Sequence, residues 1–126
     1  MTIIIVMLLL AGCGSTAEVG EAAVYQNITP EEALQRLENE DQIILLDVRT
    51  EPEHAEVRIP GSILIPLQTL AEEAPLQLTD KEATIFIYCR SGRRSLEAAE
   101  ILLELGYTQV YDLGGIIDWP YDVTMD

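Results

Sequence analysis

Residues 83–106 read "ATIFIYCRSGRRSLEAAEILLELG", and this stretch decides the fold. Its first part, 83–88, is rich in β-branched and aromatic side chains and is expected to be a strand. A helix is expected over 95–105, where Leu96, Ala99, Leu102 and Leu103 recur at helical spacing and Gly106 supplies the stop. The same alternation continues outward. "IILLDV" (43–48) is an unbroken apolar run of strand length, as expected of a strand covered on both faces. "SILIPL" (62–67) and "TQVYDL" (108–113) are further strands, and "VYQNI" (24–28) is a short first one. Thr29-Pro30-Glu31-Glu32 opens a helix, with Thr29 as N-cap, Pro30 in the first turn and Glu32 closing a capping box. Ala33, Leu34 and Leu37 mark its apolar face, and "LQTLAEEAP" (67–75) is a weaker helix that Pro75 is expected to stop. There is no internal repeat. The pattern predicts an α/β domain with a small, mainly parallel sheet flanked by helices on both faces.

A chain of 126 residues, 48% of them hydrophobic, suffices for one such domain and not for two. With 22 acidic and 7 basic residues its net charge is −15, which argues against nucleic acid or an anionic lipid surface as a partner. Against that background Arg90, Arg93 and Arg94 gather within five residues of Cys89. Cys89 falls at the carboxyl end of the expected strand, where ligands bind in open α/β sheets. A loop entering a helix aims unpaired N–H groups at whatever it holds. Helix dipole and arginines both favour thiolate over thiol. Each arginine contributes up to about 4 kcal/mol of gross attraction at ~4 Å before screening. Cys89 is therefore expected to be a nucleophile in a pocket for an anion, with Gly92 letting the loop turn. A buried structural cysteine beside a solvated basic turn is the plainer alternative. It leaves Arg-Ser-Gly-Arg-Arg-Ser a coincidence in a chain with four other basic residues. Cysteine phosphatases place an arginine after five intervening residues. That position here is Ser95, and Arg94 comes one early, so the count disfavours phosphatase chemistry.

The N-terminus reads separately. "MTIIIVMLLLAGC" is too short an apolar run to span a bilayer but fits a secretion signal over 1–12. Leu10-Ala11-Gly12-Cys13 resembles the lipobox of bacterial lipoproteins, which implies lipid on Cys13 and an exported, membrane-anchored protein. No Lys or Arg precedes the run, a departure from that pattern. Residues 13–24 then form a lipidated N-terminus and flexible tether, and 25–126 the folded domain. With Cys13 lipidated, Cys89 is the sole free thiol.

The chain resembles a single-domain rhodanese over roughly 25–122. "LLDVRTEPE", "IPGSILIPL", "IYCRSGRRS", "AAEILLELGY" and "VYDLGGIIDW" carry the likeness. The resemblance implies a rhodanese-like fold and a sulfurtransferase of the thiosulfate:cyanide type. In that reading Cys89 takes the outer sulfur of an anionic donor such as thiosulfate as a persulfide. It then yields that sulfur to a thiol or cyanide-like acceptor, with ping-pong kinetics and no metal or organic cofactor. The backbone from Arg90 through Ser91, Gly92, Arg93 and Arg94 to Ser95 would cradle the persulfide, while the arginines steer the donor. Asp47 and Arg49 would be supporting residues that order the loop. His54 stands where the family places an aromatic packing residue and is read as packing. Val57-Arg58 replaces the family's usual Gly-His, Pro60-Gly61 is read as a structural turn, and Gly114-Gly115 and Trp119 as closing the domain. The alternatives are a non-catalytic sulfur-carrier or binding module and, less favoured, a cysteine phosphatase or arsenate reductase.

Overall fold

The computed structural model describes residues 24–125. The expected signal segment, Cys13 and most of the expected tether lie outside the described residues. In chain order the elements are β1 (Gln26–Asn27), α1 (Pro30–Asn39), β2 (Ile44–Asp47), α2 (Glu51–Glu56) and β3 (Ile63–Leu64). There follow α3 (Leu70–Gln77), β4 (Thr84–Cys89), α4 (Arg93–Glu104) and β5 (Gln109–Gly115). The strands form one sheet in the order β1-β5-β4-β2-β3, and every pair is parallel.

Strand periodicity sorts the central strand's side chains between two cores. Ile85, Ile87 and Cys89 of β4 join Leu70, Ala74, Ala98, Ala99 and Leu102 under α3 and α4. Phe86 and Tyr88 face the other way, toward Ala33 of α1, Ile59 and Trp119. Helices thus cover both faces, as the unbroken apolar strands require. The α1 capping box is present, with Glu32 N–H donating to Thr29 Oγ1 and Thr29 N–H donating to Glu32 Oε1, both at 3.1 Å. The C-terminal segment is tied back by an antiparallel bridge between Arg58 and Thr124.

Three expectations need correction. Pro75 does not stop its helix: a 3-10 turn (Leu67–Thr69) leads into α3, which runs two residues beyond the proline to Gln77. The N–H that Pro75 lacks would have served Ala71, which lies exposed. Buried Ala74 and Leu78 anchor the final turn, and the Tyr107 hydroxyl reaches both carbonyls, at 3.0 Å and 2.6 Å. Second, α4 begins at Arg93 rather than Ser95, because Gly92 takes the N-cap position at φ 108°. Third, residues 62–67 contribute only a two-residue edge strand. Pro60-Gly61 forms the turn before it, with Gly61 at φ 84° and Ser62 N–H donating to Ile59 O. The short helix α2 has no counterpart in the sequence reading.

Candidate active site

Cys89 ends β4 with its side chain on the α4 face, buried to 1% exposure. The N–H of Gly92 donates to its Sγ at 3.0 Å and that of Ser95 at 3.3 Å. Both donors exist because α4 starts directly after the loop, so its first-turn N–H groups lack intrahelical acceptors. They stabilise negative charge on the sulfur.

The strand beside the loop fixes its position. Between β4 and β5 the register slips, pairing Ile87 with Asp112 but Tyr88 with Gly114. This bulge re-aims the end of β5. There Asp112 Oδ1 accepts from Ser95 Oγ at 2.7 Å and from Gly114 N–H at 3.0 Å. Gly115 packs directly beneath the loop: a Cβ there would meet the Arg90 carbonyl oxygen and lie 2.7 Å from Ser91 Cα. The Ile117 N–H donates to Arg90 O at 3.2 Å and closes the bracket. Gly115, expected with Gly114 to close the domain, also forms the loop floor.

The three arginines diverge. Arg90 and Arg93 are exposed, as is Ser91, and among the described residues neither arginine has an acidic partner. Arg94 is paired with Glu53 of α2, Nη1 to Oε1 at 2.9 Å and Nη2 to Oε2 at 3.1 Å. The Arg94 hydrogen bond outweighs burial and holds the Glu53 carboxyl at a pKa of about 2. Arg94 is reciprocally raised by Glu53, and Cys89 adds to that attraction.

Asp47 and Arg49 form a buried pair on the opposite face of the sheet from Cys89 Sγ. Arg49 donates to Asp47 through Nε and Nη2, at 2.9 and 2.7 Å, and to Val57 O at 2.6 Å. His54 Nδ1 lies 2.8 Å from Asp47 Oδ2, so His54 is a hydrogen-bonding member of this cluster rather than a packing residue. The Tyr88 hydroxyl donates to Asp47 at 3.2 Å, accepts from Ile59 N–H at 3.1 Å and meets Ser62 Oγ at 2.9 Å. Burial pushes its pKa up, keeping it a donor. The cluster anchors α2, none of whose residues is buried, and α2 in turn presents Glu53 to Arg94. Among the described residues no group of three His, Cys, Asp or Glu is arranged to hold a metal ion.

The sequence reading missed Glu53, Asp112 and Gly115 as parts of the site. For Glu53 a signal existed: Thr50-Glu51-Pro52-Glu53 repeats the capping-box pattern of Thr29-Pro30-Glu31-Glu32. The reach of Asp112 depends on a bulge that no local pattern announces.

Comparison with known proteins agrees with this geometry. The family model described as a rhodanese-like domain matches residues 29–120. A sulfurtransferase of Allochromatium vinosum is 37% identical over 99 residues, covering 76% of this chain and 89% of that protein. Thiosulfate sulfurtransferase PspE of Escherichia coli is 40% identical over 73 residues, 58% of this chain and 70% of its own. A solved structure described as a rhodanese with anions from E. coli superposes with a TM-score of 0.63 at 34% identity, covering 67% of this chain and 99% of that one. A parallel sheet with a sulfur cradled at the end of its central strand, matched over most of its length by these relatives, places the chain in the rhodanese-like domain family.

Proposed function

We propose that the protein is a sulfurtransferase that carries sulfane sulfur on Cys89. The observation that supports this most directly is the pair of N–H donors, from Gly92 and Ser95, directed at Cys89 Sγ. In the first half-reaction the Cys89 thiolate attacks the outer sulfur of thiosulfate. An S–S bond forms to Cys89 while the sulfur–sulfite bond breaks, and its electron pair leaves with sulfite. Charge is conserved, as thiolate plus thiosulfate dianion becomes persulfide anion plus sulfite dianion. In the second half-reaction cyanide or a thiolate attacks the persulfide's outer sulfur, and its electron pair returns to Cys89. Arg90 and Arg93 attract the anionic donor, the loop amides from Arg90 through Ser95 hold the terminal sulfur, and Asp47 and Arg49 support the frame. For the N-terminus we propose export and lipid attachment at Cys13, supported by the apolar run and Leu10-Ala11-Gly12-Cys13.

Intact-mass measurement after incubation with thiosulfate tests the central claim. One added sulfur on Cys89, discharged by cyanide as thiocyanate, is expected, and none in Cys89→Ser. No sulfur uptake by the wild type overturns it. Uptake without discharge to any thiol or cyanide instead favours a sulfur-carrier role. Mass analysis of protein from native membranes reads lipid on Cys13.

A further inference from the structure

Arg94 stands in the first turn of α4, and its guanidinium is near enough to Cys89 for their charges to interact. Its end-on edge is nevertheless filled, Nη1 and Nη2 each donating to one oxygen of Glu53. Glu53 is itself held in place: Thr50 N–H and Thr50 Oγ1 donate to its Oε1 at 2.9 and 3.0 Å. A guanidinium edge is the side-chain feature best shaped to grip an oxyanion, and here a tethered carboxylate already occupies it. A free anion must displace a competitor whose effective concentration is in the millimolar range or above.

We propose that Glu53 is a specificity-determining residue that bars phosphate, and other anions that turn oxygens toward the sulfur, from the Cys89 cradle. With Arg94 occupied, the sulfur faces backbone N–H donors, and uncompensated guanidinium charge remains at the exposed rim on Arg90 and Arg93. That arrangement suits a donor that points a sulfur inward and keeps its anionic group outward. A phosphoryl group pressed against the sulfur needs a guanidinium close to its oxygens, and Glu53 withholds it. Because the Glu53 carboxyl stays ionised down to about pH 2, the block persists across physiological pH. The proposal rests on the sulfur-transfer reading of Cys89 and names what the same cradle excludes.

The test measures the rate of Cys89 alkylation by iodoacetamide at rising inorganic phosphate. It compares the full-length wild type, Glu53→Gln and the double variant Glu53→Gln/Arg94→Met. Gln retains the capping-box oxygen at this position, while it removes the charge and replaces the oxygen that accepts from Arg94 Nη2 with an amide donor. Glu53→Ser is carried in parallel, so loss of fold in one variant leaves the other to decide. Phosphate is expected to protect Glu53→Gln at a concentration at least about ten-fold lower than any that protects the wild type. Protection is expected to vanish again in the double variant. Equal protection of wild type and Glu53→Gln overturns the proposal, as does protection that survives loss of Arg94. Sulfur uptake from thiosulfate is followed separately, so a failed sulfurtransferase reading shows there while alkylation still decides the role of Glu53.

Discussion

The Ser95 hydroxyl donates to Asp112 Oδ1 at 2.7 Å, while the Ser95 backbone N–H points at Cys89 Sγ. One residue therefore joins the end of β5 to the sulfur at the end of β4. A hydrogen bond to a carboxylate contributes about 1.5–3 kcal/mol, and Ser95 is fully buried. Asp112→Ala is expected to destabilise the domain by about that amount and to slow sulfur uptake about ten-fold, as the loop loses its brace. Asp112→Asn, which retains an acceptor oxygen, is expected to lie much nearer the wild type. A cycle with Ser95→Ala, read by thermal melts and uptake rates, should show the two substitutions to be strongly non-additive.

Gly115 and Gly114 are expected to fail differently. Gly115→Ala drives a methyl into the Arg90 carbonyl and toward Ser91 Cα, so the loop must shift. Overpacking of this kind costs about 1–3 kcal/mol, and sulfur uptake should fall further than stability does. A Cβ added at Gly114 would meet nothing within 4 Å, but φ is +95°, so Gly114→Ala pays only backbone strain of about 1–2 kcal/mol. Parallel melting curves and thiosulfate-uptake assays on the two variants distinguish these outcomes.

Arg90 and Arg93 are exposed, so their contribution should be long-ranged and salt-sensitive. Replacing both with Gln is expected to slow thiosulfate uptake about ten-fold at low ionic strength and by much less in about 1 M salt. A loss that is independent of salt would show that they act by direct contact instead.

The Glu53–Arg94 pair also predicts acid behaviour. Folding lowers the Glu53 carboxyl from 4.5 to about 2, so its stabilisation is fully present above pH 5 and is lost as pH falls through 2. The shift corresponds to at most about 3 kcal/mol, and solvent screening of this partly exposed pair reduces it. Arg94→Met should flatten the wild-type decline in stability between pH 5 and pH 2, as measured by urea denaturation across that range.

Tyr88 lies on the sheet face away from Cys89, and its hydroxyl joins Asp47, Ile59 and Ser62. Tyr88→Phe leaves the buried Ile59 N–H without its acceptor, at a cost of about 1–3 kcal/mol. The melting temperature should drop by about 4–8 °C per kcal/mol, with sulfur uptake close to wild type.

How far the site was legible follows from the range of each interaction. Strand β4, helix α4 and the Cys89 loop between them are neighbours in sequence, and composition and spacing were enough to recognise them. The short helix α2 carries no buried residue, so it has no apolar periodicity to display. Only its Thr50–Glu53 capping box marked it. His54 was read as packing because the family places an aromatic residue at its position, whereas the turn of the chain into α2 sets its ring against Asp47.

The sequence by itself determined an α/β domain with a parallel sheet and a cysteine where its central strand enters a helix. These properties follow from hydrophobic period, turn residues and local charge, which act over a few residues. The tertiary structure decided what surrounds that cysteine. It paired Arg94 with Glu53, 41 positions away, left Arg90 and Arg93 at the rim, and set Asp112 and Gly115 against the loop. Those choices depend on strand order, on the β5 bulge and on which face each side chain takes. Such relations arise only when distant segments pack together, which no local pattern encodes.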